Sequence, residues 1–123
     1  MILERTGNRT VAGLPGWEVE ERFPFGLDYR EGDKAMEFDC ERASGPGVSI
    51  ILYYAPEAMR WNPPHRGDPL NAAELHPILV RVTAACVLMG IRPVWECVPP
   101  EAERKDWPVI WAEAQALLRR VGQ

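Results

Sequence analysis

The segment Leu27-Asp28-Tyr29-Arg30-Glu31-Gly32-Asp33-Lys34-Ala35-Met36-Glu37-Phe38-Asp39-Cys40-Glu41 decides the fold. Apolar and polar residues alternate on both sides of Gly32-Asp33, a dipeptide compatible with a two-residue hairpin turn of the primed type. Such a turn sets the register, pairing Glu31 with Lys34, Arg30 with Ala35, Tyr29 with Met36, Asp28 with Glu37 and Leu27 with Phe38. Leu27, Tyr29, Met36, Phe38 and Cys40 then share one face. Asp28, Glu37, Asp39 and Glu41 share the other. Turn chemistry and alternation agree, and agreement between independent local signals marks a well-specified element.

Outward from the hairpin, Trp17 to Arg22 alternates as a strand, with Trp17 and Val19 opposite Glu18 and Glu20. Val48 to Tyr54 is β-branched, aromatic and apolar on both parities except Ser49, so it reads as a central strand. Its set Val48, Ile50, Leu52 and Tyr54 completes the core and leaves Ile51 and Tyr53 beside the carboxylates. The Gly45-Pro46-Gly47 loop leaves that register open. A helical stripe runs through Leu75, Ile78, Leu79, Val82, Cys86 and Met89, with Asn71 and Glu74 at capping-box spacing and Gly90 as its stop. Pro77 leaves two starts open, one after Asn71 and one near His76. Ile91 to Val98 reads as a strand that Pro93 pushes toward an edge or a late start. A last helix follows Asp106 as N-cap, buries Trp107, Ile110, Trp111, Ala114, Leu118 and Val121, and ends before Gly122. The order ββββαβα predicts an α+β, two-layer domain: a mostly antiparallel sheet of four to five strands with both helices on one face.

The 123 residues suffice for a single domain spanning 1–123 and not for two. Residues 1–10 contain no apolar run of signal type. The apolar segment Ile78 to Ile91 is interrupted by Arg81 and too short for a membrane span, so a cytoplasmic, soluble chain is expected. Cys40, Cys86 and Cys97 are odd in number and lack C-x-x-C spacing, as expected of reduced, buried thiols. A net charge of −4 disfavours coating nucleic acid. No Walker loop, G-x-G-x-x-G, G-x-S-x-G or H-E-x-x-H occurs. His65 and His76 have no nucleophile motif nearby and read as surface or capping residues. No catalytic residue, cofactor or metal site is expected, although Asp28, Glu37 and Asp39 offer oxygen ligands in principle.

Charge is concentrated where the strands are. Residues 18–41 hold nine acids (Glu18, Glu20, Glu21, Asp28, Glu31, Asp33, Glu37, Asp39 and Glu41) against Arg22, Arg30 and Lys34. Asp28 opposite Glu37 is a like-charge cross-strand pair, a cost of up to ~1 kcal/mol that a cation relieves. Either Arg22 or Arg30 supplies that cation internally, or a basic surface supplies it from outside. Glu18, Glu20, Asp28, Glu37 and Asp39 are therefore candidate charged contacts. Ile51 and Tyr53 are candidate apolar anchors inside that rim. Trp61, ahead of Asn62-Pro63-Pro64, either plugs the core edge or anchors a partner.

The run Tyr29, Glu31, Gly32, Asp33 and Phe38, then Ile51 and Tyr53, Trp61 and Pro63, a helix ending at Gly90 and a strand at Val94 resembles a recurrent pattern. It is similar to the small immunity-protein families that accompany bacterial polymorphic toxins, including contact-dependent growth inhibition systems. The likeness covers roughly residues 27–96 and omits the last helix. It implies a non-catalytic cytoplasmic protein, monomeric or weakly dimeric, that binds the C-terminal toxin domain of its cognate effector and occludes its working surface. An acidic neutraliser suits a basic toxin such as a nuclease. Two rival expectations stand beside it. One is a small enzyme or ligand-binding domain with a pocket near the Trp61–Pro69 loop, using His65 or Asp68. The other is a scaffold that oligomerises through the Ile91–Val98 edge or the Trp111 helix.

Overall fold

The computed structural model describes residues 3–5, 10–13, 16–22, 26–43, 47, 50–55, 58–98 and 107–121. Seven strands form one sheet whose neighbour order equals the chain order. They are β1 (Leu3–Arg5), β2 (Thr10–Gly13), β3 (Trp17–Arg22), β4 (Gly26–Glu31), β5 (Lys34–Arg42), β6 (Ile50–Tyr54) and β7 (Pro93–Cys97). Neighbours from β1 to β6 pair antiparallel. β7 runs parallel to β6, reached through α1 (Ala72–Leu88), and α2 (Trp107–Val121) follows. The class is α+β as expected, with β1 and β2 added to the expected four to five strands. These two are only three and four residues long, too short to show a period.

The hairpin has the register its sequence dictates, with all five expected pairs in place. Gly32 sits at φ 63°, the left-handed value a primed turn needs at its first central residue. The open register resolves as Cys40 opposite Leu52 and Glu41 opposite Ile51. Residues 48 and 49 lie outside the described residues.

α1 starts at the first of its two possible places. Asn71 Oδ1 accepts from the Glu74 N–H at 2.8 Å, and Glu74 Oε1 accepts from the Asn71 N–H at 3.1 Å, a complete capping box. Pro77 is thus inside the helix, where it deprives the carbonyl of Ala73 of its donor. Ala73 and Pro77 are both exposed, so water can serve that carbonyl. At the other end Gly90, at φ 82°, turns the chain. The Gly90 N–H donates to Val87 and the Ile91 N–H to Cys86, the paired bonds of a Schellman motif.

α1 lies on the sheet and α2 packs on α1 and β1. Between them and the sheet sit Val11, Trp17, Val19, Leu27, Tyr29, Met36, Phe38, Leu52 and Tyr54. α2 buries Ile110, Ala114 and Leu117, with Leu118 only half-buried, so the helix is turned from the expected stripe to bring Leu117 inward. Asp106, Gly122 and the side chain of Val121 lie outside the described residues. Thr83, fully buried, is satisfied twice: its hydroxyl donates to the Leu79 carbonyl and accepts from Trp95 Nε1. The three cysteines are buried and form no disulfide, and burial pushes the Cys86 thiol up from its ordinary range. Among the described residues no helix is long and apolar enough to cross a membrane.

Candidate functional site: the acidic face of the sheet

Strand alternation sends every second side chain away from the helices. Register then assembles those side chains into one surface. Glu20 stands opposite Asp28, and Asp28 opposite Glu37, a row of carboxylates across three strands. Strand neighbours lie ~4.8 Å apart. Glu18 faces Arg30, Gly26 faces Asp39, Glu41 faces Ile51, Ile51 faces Val94 and Tyr53 faces Glu96. Among the described residues, neither helix packs on this face.

The strands therefore bring together seven of the eight candidates: Glu18, Glu20, Asp28, Glu37, Asp39, Ile51 and Tyr53. Glu37 and Asp39 are exposed, whereas Asp28, Ile51 and Tyr53 are half-buried. Val94 and Glu96 join them from β7. Parity within β7 was legible in the sequence, but a parallel partner reached through a helix leaves no local signal of register.

Arg30 is the cation of this face. It pairs with Glu18 and lies 3.8 Å from Glu20, and the Glu18 hydrogen bond, followed by the charges of Glu18, Glu20 and Asp28, holds its guanidinium firmly charged. One of the two internal cations named from sequence thus neutralises part of the cluster; the Arg22 side chain lies outside the described residues. Seven carboxylates (Glu18, Glu20, Asp28, Glu37, Asp39, Glu41 and Glu96) share this face with the Arg30 guanidinium. Partial burial, a hydrogen bond to Glu41 and the charges of Glu41 and Glu96 push the Tyr53 phenol up. Tyr53 keeps its proton and remains a neutral, amphipathic group among anions.

Trp61 does not belong to this surface. Its ring stacks on Tyr29 at 6.2 Å, on the core side, and Lys34 Nζ lies 5.8 Å from its centroid. The Asn62 N–H donates to the Ala35 carbonyl at 2.7 Å, tying the loop to the β5 backbone. Of the two roles read for Trp61, its packing is that of the core-edge plug, and it does not join the other candidates on the acidic face. Beneath it, Tyr29 Oη donates to Glu31 Oε1, and Arg81 Nη1 donates to both Tyr29 Oη at 2.7 Å and Glu31 Oε1 at 2.6 Å. Trp17 stacks on the other side of Tyr29 at 6.4 Å.

The Trp61–Pro69 loop is pinned rather than open. The Leu70 N–H closes onto the Met59 carbonyl, Arg60 donates to the Gly67 carbonyl, and His65 Nε2 lies 3.3 Å from Asp33 Oδ2. A groove of about 310 Å³ lies between α1 and α2, and a cavity of about 40 Å³ lies beside Cys40 and Ile50. No residue of 61–69 lines either one. Among the described residues no group of three or more His, Cys, Asp or Glu side chains is placed to hold a metal ion. Comparison with protein-family models, curated proteins and solved structures gives no match to this chain.

Proposed function

We propose that the chain is a binding module that neutralises a toxin domain by docking its acidic sheet face onto a basic surface of that domain. One observation carries the reading: both helices pack on the same side of the sheet, and the other side presents seven carboxylates around Ile51, Tyr53 and Val94. An apolar patch ringed by charges of one sign suits a protein partner. The ring steers encounter and sets orientation, and the patch supplies area to desolvate. A toxin that acts on nucleic acid must carry clustered cations to hold phosphates, and occupying those cations blocks its substrate.

The test is co-expression with the C-terminal toxin domain of the effector encoded beside this chain. Cells survive when the native chain is present. They die with the double substitution Glu37→Lys and Asp39→Lys, which changes two exposed side chains and leaves the circular dichroism spectrum intact. Association of the purified pair slows at least about ten-fold between low salt and 0.5 M salt. Survival with the double variant, or an association rate indifferent to salt, refutes the acidic face as the docking surface. Death despite the native chain refutes toxin neutralisation itself.

A further inference from the structure

α1 and α2 leave between them a groove of about 310 Å³, at the small end of the range for ligand sites. Pro77, Val80, Ala116 and Leu117 form its apolar walls. Val80 and Leu117 are each only 8% exposed, so the groove reaches down to the core. Ala116 contributes a single methyl group where a longer side chain would fill the space.

The two ends of the groove differ in charge. At one end His76 Nε2 lies 2.8 Å from Glu113 Oε2. A carboxylate only accepts, so the imidazole is the donor and the acid is already held. Arg120 follows Glu113 by seven residues, roughly 10 Å of helical rise. Arg81 lines the groove as well, with its Nη1 turned inward to Tyr29 and Glu31. Arg120 is exposed and has no ion-pair partner among the described residues.

We infer that this groove binds a small amphipathic carboxylate, its apolar body along Val80, Ala116 and Leu117 and its anionic head at Arg120. Glu113 repels the head from the opposite end, which sets the orientation. A carboxamide head of the same shape carries no charge and only one acceptor oxygen, so it forfeits the ion pair and the bidentate fork with the guanidinium. The groove opens on the helical layer, away from the carboxylate face, so ligand and macromolecular partner occupy different surfaces.

The test is titration of naphthalene-2-carboxylate into the full chain, followed by amide shifts in 1H–15N correlation spectra. The expected result is saturable shifts centred on Val80, Arg81, Ala116, Leu117 and Arg120. Affinity falls at least about five-fold for naphthalene-2-carboxamide, and equally for naphthalene-2-carboxylate on Arg120→Gln. Ala116→Leu fills the groove and abolishes the shifts while the rest of the spectrum is unchanged. Arg120→Gln alters an exposed side chain and decides the matter even where Ala116→Leu perturbs folding. Absence of saturable shifts at millimolar probe, equal affinity for acid and amide, or undiminished binding by Arg120→Gln overturns the inference. None of these outcomes depends on the toxin partner.

Discussion

Replacing Gly13 with alanine would place a methyl group 2.2 Å from Trp17 Cε2 and Cζ2 and 2.7 Å from Nε1. Gly13 faces Trp17 across β2 and β3, and its backbone is ordinary strand, so the penalty is steric. The indole has nowhere to withdraw. It is 2% exposed, stacked on Tyr29, with the Arg81 guanidinium 5.7 Å from its ring. Overpacking a filled core costs about 1–3 kcal/mol. Displacing the ring from Tyr29 removes a further ~0.5–1.5 kcal/mol, and from Arg81 another ~0.5–1 kcal/mol. A loss near 3 kcal/mol follows, which at ~4 °C per kcal/mol lowers Tm by about 12 °C. Urea unfolding followed by circular dichroism measures it, and an unchanged m-value excludes a shift in the denatured state. Trp17→Phe in the Gly13→Ala background shortens the clashing ring, so the two substitutions couple by at least ~1 kcal/mol in a double-mutant cycle. A Gly13→Ala loss below about 1 kcal/mol, or strict additivity with Trp17→Phe, refutes the packing described for this corner.

Asn71→Ala removes the capping box of α1 and destabilises by about 1 kcal/mol in the same urea assay; a neutral effect refutes the assigned helix start. Arg81→Met strips two charge-assisted hydrogen bonds from Tyr29 and Glu31. Because Glu31 is 42% exposed and rehydrates, the loss is held to about 2 kcal/mol. Burial raises the Cys86 thiol and the Tyr29 phenol above their unfolded values. The unfolded chain therefore releases these protons first, and stability, complete below about pH 8.5, falls as pH rises, first through Cys86 and then above ~10 through Tyr29. Each group contributes a slope of up to ~1.4 kcal/mol per pH unit, and Tyr29→Phe removes the second component; urea midpoints that stay level from pH 8 to 11 refute both.

Legibility followed locality. The β4–β5 hairpin was readable because Gly32-Asp33 and the alternation of Leu27 to Cys40 impose the same register from two directions. The two faces of β3 and β7 were readable from parity, and of the edge or late start that Pro93 implied the structure shows the edge; β6, apolar on both parities, needed the pairing of Cys40 with Leu52 to fix its inward side. β1 and β2 were not. In β2 the inward pair is Val11 and Gly13, and a glycine serving as the floor for an indole carries no hydrophobic signal. The helix start was ambiguous because the strength of the Asn71–Glu74 cap had to be set against Pro77, and only exposure of Ala73 decides between them. Trp61 was ambiguous for a related reason: a loop aromatic has no periodicity, so its side of the sheet is set by a tertiary contact with Tyr29. The helical groove was not anticipated, since a void depends on what two distant segments fail to fill.

Because each strand lies beside the one that precedes it in the chain, each antiparallel pairing closes only a short loop, an arrangement of low contact order. The one long-range closure among the described strands is β7 onto β6, whose connection contains α1. Little loop entropy is therefore lost per antiparallel pairing, which favours fast formation of the sheet. The outer side of the sheet is anionic across β3, β4 and β5, and mutual repulsion between two such faces disfavours stacking of one copy on another through them.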